Sequence, residues 1–467
     1  MIALSETFSV CPACLKRVNA AYVKIGGAIY IEKKCGEHGK FTYLISRVAG
    51  DFEKWEADTV NIKPKEVLRE AKYGCPYDCG PCENHLQTAC CVLIDVTNRC
   101  DQNCAVCFAS ASPDKQQEPD LSEIEAKYNE LIRMSEARKF NIQLSGGEPT
   151  TRDDLPEIIK LAKAKGFEYV QINTNGKRIG ADKNYAHILK QAGADAVFMQ
   201  FDGMTDTVYM SLRNEKLLEL KKKAVENCRK ARLPVALVPT IIRGINDCEI
   251  GGIVQYMLEN VDVVKGIHFQ PMSFFGRYPE GFSQNQRFTM FDTIDEIHKQ
   301  TAGAVAKENL APISTGHPLC CFYATFHKQE DGSIVCTSAG REQSGCSCDE
   351  DACCAEEEAG CSDEDVCCAE EEPCCPTDIE IIIKDRDYVL NKWKMAEAVS
   401  EGGFDEFLNN IRSNSFTLTG MAFQDAVSLD TERLRRCRVQ MLSEDGDLVP
   451  FCAYNLTDSQ GKYLYRA

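Results

Sequence analysis

The sequence has no long apolar run. No window approaches the roughly 18 consecutive apolar residues that a membrane-spanning helix needs. Its first residues, Met-Ile-Ala-Leu-Ser-Glu-Thr, lack the basic stretch and apolar core of a secretion signal. The two absences set the expectation of a cytoplasmic chain, touching a membrane peripherally at most. Positive charge is also short: 53 Lys+Arg against 71 Asp+Glu give a formal net charge of −18, which argues against a general affinity for nucleic acid phosphates. Cysteine is scarce between residues 108 and 319, where Cys228 and Cys248 stand alone in helix-like context and read as buried structural thiols. At 467 residues, 44% hydrophobic and 27% charged, the chain can nevertheless bury a core and form several domains.

What is abundant is cysteine outside that middle: 27 in all. In a reducing compartment so many thiols point to metal ligands or redox groups rather than disulfides. The middle itself alternates apolar strand-like runs (92–96, 141–144, 169–173, 196–201, 235–242, 266–270) with helix-like stretches (121–138, 154–165, 183–192, 215–231, 248–260). Units of about 30 residues match βαβ repeats, and short apolar strands match a parallel sheet covered by helices. The expected fold class is therefore α/β, a partial (βα)6 TIM-like barrel spanning 93–310, with a doubly wound sheet as the alternative. Residues 1–70 are expected to form a small metal-binding domain, 71–92 an auxiliary iron–sulfur segment, and 311–345 with 377–467 a second auxiliary region.

The sharpest signal follows the first strand: Cys100-Asp-Gln-Asn-Cys104-Ala-Val-Cys107-Phe108. Three thiolates so spaced can hold three irons of a [4Fe–4S] cluster and leave the fourth open to chelate the amino and carboxylate groups of S-adenosylmethionine (SAM). The spacing alone also suits a zinc loop. The next strand ends in Ser145-Gly146-Gly147-Glu148-Pro149, where two glycines permit close backbone approach and Glu148 offers an acceptor for an ammonium group. Later strand ends carry Asn173, Asn175, Asp202, Arg243, Asn246 and Gln270, candidates for ribose, carboxylate or substrate contacts or for structural roles.

With both motifs in place the sequence resembles the radical SAM superfamily. The resemblance implies SAM bound across the C-terminal strand ends, contacted by Gly146, Gly147, Glu148 and Pro149, with the Phe108 backbone near the adenine. It implies reductive SAM cleavage to a 5′-deoxyadenosyl radical, which takes a hydrogen atom from unactivated sp3 carbon. A reduced ferredoxin or flavodoxin is the expected electron donor.

The flanks add metal sites. Cys11-Pro-Ala-Cys14 and Cys35-Gly-Glu-His38 make a paired-ligand knuckle for zinc or a single iron. Cys75-Pro-Tyr-Asp-Cys79-Gly-Pro-Cys82 supplies three thiolates, with Cys90 or Cys91 as a fourth and His85 in the same loop. The run from Cys75 to Phe108, and the returning stretches 419–425 and 450–455, are similar to the class D radical methylase and tetraether lipid synthase group, closest to the radical SAM (seleno)proteins called TrsS. That group implies Cys90 rather than Cys91, auxiliary [4Fe–4S] clusters and C–C bond formation. The products it suggests are a coupled lipid chain or a methylated small molecule. Met272, Phe274 and Phe275 offer apolar lining or core. Cys320, Cys336, Cys437 and Cys452, with His317 nearby, are candidates for a second auxiliary cluster; buried free thiols are the plain alternative. A non-catalytic electron-transfer or metal-binding protein is the rival to an enzyme. Nine cysteines and twelve acidic residues between Cys346 and Cys375 form a repeat without core-forming residues, expected to be disordered or organised by metal.

Overall fold

The computed structural model describes residues 2–55, 57, 59–64, 66–115, 118–279, 281–282, 286–338, 378–395 and 411–466. The acidic cysteine repeat lies outside the described residues. Strands β1 (Ile2–Val10), β2 (Arg17–Ile25), β3 (Ala28–Cys35) and β4 (Gly39–Ser46) form an antiparallel sheet of their own, in sequence order. It rests on Ala20, Tyr22, Ile29 and Ile31, buried on one face.

The six expected strands are present: β5 (Cys91–Thr97), β6 (Asn141–Gly146), β7 (Val170–Thr174), β8 (Ala196–Gln200), β9 (Val235–Val238) and, after the two-residue β10 (Thr240–Ile241), β11 (Val264–Pro271). They pair in parallel, β5 to β6 to β7 to β8 to β9 to β11. The later chain then adds to this arc. Three short strands, β12 (Ala311–Pro312), β13 (Cys321–Lys328) and β14 (Ile334–Cys336), precede β15 (Ser415–Met421), which pairs in parallel with β11. Strand β16 (Val439–Leu442) pairs in parallel with β5 at the opposite edge, and β17 (Leu448–Pro450) turns back on it. The six-stranded arc therefore gains a parallel strand at each edge, both from segments distant in sequence. No helix among the described residues is long and apolar enough to cross a membrane.

Alternation along each strand sets the two faces. Val92, Ile94 and Val96, then Ile142 and Leu144, Val170 and Ile172, Val197 and Met199, and Ile267 and Phe269 belong to the main core, which also takes in the helices. The intervening residues look into the barrel, where the amides Gln143, Gln171, Asn173, Gln200 and Gln270, with His268, stand among apolar Leu93, Phe198 and Val238. Both faces are buried, so the strands still read as compact apolar runs. Among the described residues of the expected barrel, three α-helices lie outside the expected stretches: Lys177–Ala181 and Asp206–Arg213, each short with buried residues on few turns, and Met290–Gln300 after the last of the six strands.

Candidate functional site

The cysteine loop leaves β5 at Thr97 and is held mainly by backbone bonds. Cys107 and Arg277 exchange N–H···O bonds, both 2.8 Å, and the Arg277 side chain donates to the carbonyls of Cys104 at 2.7 Å and Ala111 at 2.9 Å. Two guanidinium groups thus fix the loop, since Arg213 donates to the Val106 carbonyl at 3.0 Å. Cys100, Cys104 and Cys107 open onto a cavity of about 380 Å3, with Gln102, Phe108, Gly146, Gly147 and Asn175 among its walls.

The glycine pair serves this loop directly. A Cβ on Gly146, whose φ is +125°, would lie 2.0 Å from the Thr97 carbonyl oxygen, and one on Gly147 would lie 2.2 Å from that of Arg99. Only bare backbone lets Gly147 N–H reach Thr97 at 2.7 Å and Glu148 N–H reach Arg99 at 2.8 Å. The glycines therefore clamp the strand end against the cysteine loop, where the sequence suggested approach to a ligand.

Glu148 likewise differs from its expected role. One carboxylate oxygen accepts from Thr150 N at 3.0 Å and from the hydroxyls of Thr150 and Thr174 at 2.6 Å each; the other accepts from Asn175 N at 2.5 Å. Burial raises its pKa, and those hydrogen bonds oppose the rise. The carboxylate ties the ends of β6 and β7 together, with its hydrogen bonds spent on the chain, although Glu148 does lie on the cavity wall. Asn175 continues the tie by donating to Asp101 in the cysteine loop at 2.7 Å.

Among the other expected contacts, Asn173 and Gln270 line the cavity. Asp202 does not: it is fully buried, paired with Arg213 through bonds of 2.7 and 2.9 Å and capping Thr240 N at 3.0 Å. Asn246 is spent on the carbonyls of Asp202 and Thr240, 2.8 Å each, and Arg243 pairs with Asp292 at 2.6 Å. Both are structural. Pro149 opens a short 3-10 turn behind the site. Arg213 was missed by sequence reasoning, yet it lines the cavity and reaches the Cys104 thiol. Its signal was a charged residue on the buried face of a short helix, beside Val208, Tyr209 and Leu212.

The residues fit an iron–sulfur cluster with SAM. Cys100, Cys104 and Cys107 bring three thiols to one cavity wall; burial raises the pKa of Cys100 and Cys104, so an iron bound there must displace their protons. Gln102 shares that wall, and its buried side-chain nitrogen has no hydrogen-bond partner among the described residues, a donor suited to an anionic group there. The Phe108 ring lies with its centroid 5.5 Å from that of Phe451, tilted by 56°, and its carbonyl accepts from Tyr463 at 2.7 Å.

At the N-terminal sheet, Cys11, Cys14, Cys35 and His38 bring their ligand atoms within 4.8 Å of one another, which suits a tetrahedral ion. The His38 ring beside Cys35 lowers that thiol's pKa to about 6. In the second loop Cys75 and Cys79 share a hydrogen bond and Cys82 interacts with both by charge. Cys90 lies one residue before β5, its thiol donating to the Arg438 carbonyl at 3.5 Å, whereas Cys91 faces Gln143 inside the barrel. His85 is buried and hydrogen-bonded, 3.1 Å from the Cys437 carbonyl and 2.9 Å from the Gln440 amide, and burial lowers its pKa to about 4.

Of the four late cysteines, Cys320, Cys437 and Cys452 lie near enough to interact electrostatically, with Cys320 and Cys452 also beside buried Arg433. Cys336 is not with them. It pairs with Phe326, five positions along β13 from Cys321, so the strand rise of about 3.3 Å per residue carries it well away. Its thiol sits 3.4 Å from Ser338 Oγ. Nearby His317 caps Leu319 N at 3.2 Å. Cys228 is buried as expected, but Cys248 is exposed, on the 3-10 turn Asp247–Glu249. Met272 and Phe275 line the cavity, whereas Phe274 packs with Val106, Val208 and Leu212.

Comparison with known proteins agrees with this arrangement. Residues 94–257 match the Radical SAM superfamily, and residues 3–47 match the HMPTM N-terminal zinc ribbon domain. The chain is 35% identical to 7,8-dihydro-6-hydroxymethylpterin dimethyltransferase of Methanocaldococcus jannaschii, over 97% of this chain and 94% of that protein. It is 30% identical to a probable GTP 3′,8-cyclase of Methanothermobacter thermautotrophicus, over 37% of this chain and 55% of that protein. Among solved structures, SuiB of Streptococcus suis bound to the precursor peptide SuiA aligns over 48% of each chain, with 14% identity and a TM-score of 0.40.

Proposed function

Because this chain belongs to the radical SAM superfamily, we propose that it is a radical methylase whose substrate is a small planar nitrogen heterocycle. It is an enzyme of the radical SAM class. When loaded, a [4Fe–4S] cluster and SAM supply one-electron cleavage to methionine and a 5′-deoxyadenosyl radical, the agent that takes hydrogen from carbon. Everything else is the work of the chain. Cys100, Cys104 and Cys107 would hold the cluster, Gln102 would donate to it, and Arg213 would keep its positive charge beside Cys104 through Asp202. Cys11, Cys14, Cys35 and His38 would hold zinc. Cys75, Cys79 and Cys82, with Cys90 as the fourth candidate, would hold one auxiliary iron–sulfur group, and Cys320, Cys437 and Cys452 a second.

One observation carries the choice of substrate: a hydrogen-bonded row of amides on the cavity wall. The Tyr169 phenol donates to Gln171 at 3.0 Å, Gln171 to Asn173 at 2.8 Å and Asn173 to Gln143 at 3.0 Å, a chain across β6 and β7. Each amide carries two donor hydrogens and an oxygen with two lone pairs, more than that chain uses. A lipid chain pressed against these groups would desolvate them without replacing their hydrogen bonds, a cost of roughly 1–3 kcal/mol for each group left unsatisfied. A heterocycle with ring nitrogens and a carbonyl meets them with hydrogen bonds. The methyltransferase relative is named for such a compound, a hydroxymethyl dihydropterin.

The test is to incubate the reduced, cluster-loaded protein with SAM, a methylene donor, a reduced ferredoxin or flavodoxin and 6-hydroxymethyl-7,8-dihydropterin, following mass. A product heavier by one or two methyl groups is expected. Labelled hydrogen passing from an alkyl lipid into 5′-deoxyadenosine, with the pterin untouched, would reject the proposal in favour of a lipid.

A further inference from the structure

Two tyrosines on one short segment reach two different cysteine loops. Tyr463 donates to the Phe108 carbonyl at 2.7 Å and lies 2.9 Å from Ser110 Oγ, both in the loop of Cys100–Cys107. Two residues on, the Tyr465 phenol reaches the carbonyls of Pro76 at 2.8 Å and Tyr77 at 2.6 Å, and accepts the N–H of Cys79 at 3.0 Å. The phenol thus bonds to the backbone of Cys79 itself, and the Cys79 thiol lies near enough for the two groups to interact.

The segment is anchored firmly enough to hold both phenols in place. Leu464 N–H bonds to the Leu456 carbonyl at 2.9 Å. Arg466 is buried and donates to Asp95 at 2.7 Å and Asn455 at 2.9 Å, with its guanidinium over the rings of Phe108 and Tyr454. Asp95 belongs to β5, the strand that leads into the first cysteine loop.

A phenol has one hydrogen to give. At position 465 that hydrogen is poised among two carbonyls and a sulfur. When Cys79 is a thiolate bound to iron, the sulfur is the charged acceptor and takes the stronger bond. Hydrogen bonds to ligand sulfur stabilise the reduced, more negative state of an iron–sulfur group and so raise its potential. We propose that Tyr465 is a positioning residue that sets the reduction potential of the group held by Cys75, Cys79 and Cys82. Tyr463 holds the neighbouring loop without touching that potential. The inference rests on the reading above that these three cysteines hold an iron–sulfur group.

The experiment uses the full reconstituted protein and potentiometric titration followed by electron paramagnetic resonance. Iron and sulfide counts in Cys79→Ala first test the underlying reading, and the signal lost in that variant identifies the group. Unchanged counts reject the reading itself. With the signal assigned, Tyr465→Phe is expected to shift its midpoint to lower potential at full iron content, while Tyr463→Phe leaves it in place. Replacing Tyr465 with 3-fluorotyrosine keeps the ring and strengthens the donor, so the midpoint should rise. The fluorotyrosine form also decides the matter if the phenylalanine variant loses iron. A midpoint unmoved by strengthening the donor, or moved equally by Tyr463→Phe, overturns the proposal.

Discussion

Glu148→Gln separates a carboxylate that holds the fold from one that holds SAM. The amide oxygen can keep the three bonds from Thr150 and Thr174, because those donors converge on one atom. The amide nitrogen then replaces the other oxygen and confronts Asn175 N–H donor to donor, where the carboxylate accepted at 2.5 Å. The lost charge-assisted bond costs about 1.5–3 kcal/mol and the stranded N–H about 1–3 kcal/mol. Against this, Gln removes a buried charge. The raised pKa means the folded form binds its proton more tightly than the unfolded one, so ionised Glu148 carries a cost that appears as pH rises above about 4.5. The net loss at neutral pH is on the order of 3 kcal/mol, or several degrees in Tm. Thermal unfolding followed by circular dichroism gives that number, and calorimetry gives SAM affinity in the same protein. A Tm equal to wild type with SAM binding abolished would refute the reasoning and return Glu148 to an ammonium-binding role.

Arg213→Met strands Asp202, which has no exposure, and should cost about 3–5 kcal/mol in urea unfolding; adding Asp202→Leu should recover part of it. Cys336→Ala should leave the iron count of the reconstituted protein unchanged, whereas Cys452→Ala should lower it. Lys33 is buried between Ser9 and the Ala426 carbonyl, and desolvation lowers its pKa to about 7. The unfolded chain binds that proton up to about pH 10.4, so this group's contribution to stability rises between pH 7 and pH 10. In Lys33→Met, unfolding measured across that range should lose this component of the rise.

The strands and the cysteine loop were legible because local pattern fixes them. A run such as Val92 to Val96 has both faces buried, and Cys100, Cys104 and Cys107 lie within one loop. The edge strands β15 and β16 were not legible, since each pairs with a strand more than a hundred residues away; Phe416 and Leu418 alternate with Thr417 and Thr419, but so short a run names no partner. Glu148 was read from its Gly-Gly-Glu-Pro motif, and Asp202 was left open between a ligand contact and a structural role. Their real partners, Thr174, Asn175 and Arg213, arrive from other strands and helices that only the fold brings near. Cys336 failed similarly, because sequence offers no direction along a strand. The amides inside the barrel were in plain view at Gln143 of β6, Gln171 and Asn173 of β7 and Gln200 of β8. Read as apolar strands, those segments concealed the polarity that the inner face presents to a substrate.

The central claim is that Cys100, Cys104 and Cys107 make this chain a SAM-cleaving enzyme. Its most direct test is 5′-deoxyadenosine formation by anaerobically reconstituted, dithionite-reduced protein, compared with the variant carrying Ala at all three positions. The account predicts product from the wild type and none from the variant, with zinc content equal in both. Equal product from the two proteins, or none from a wild type whose cluster is fully reduced, would contradict it.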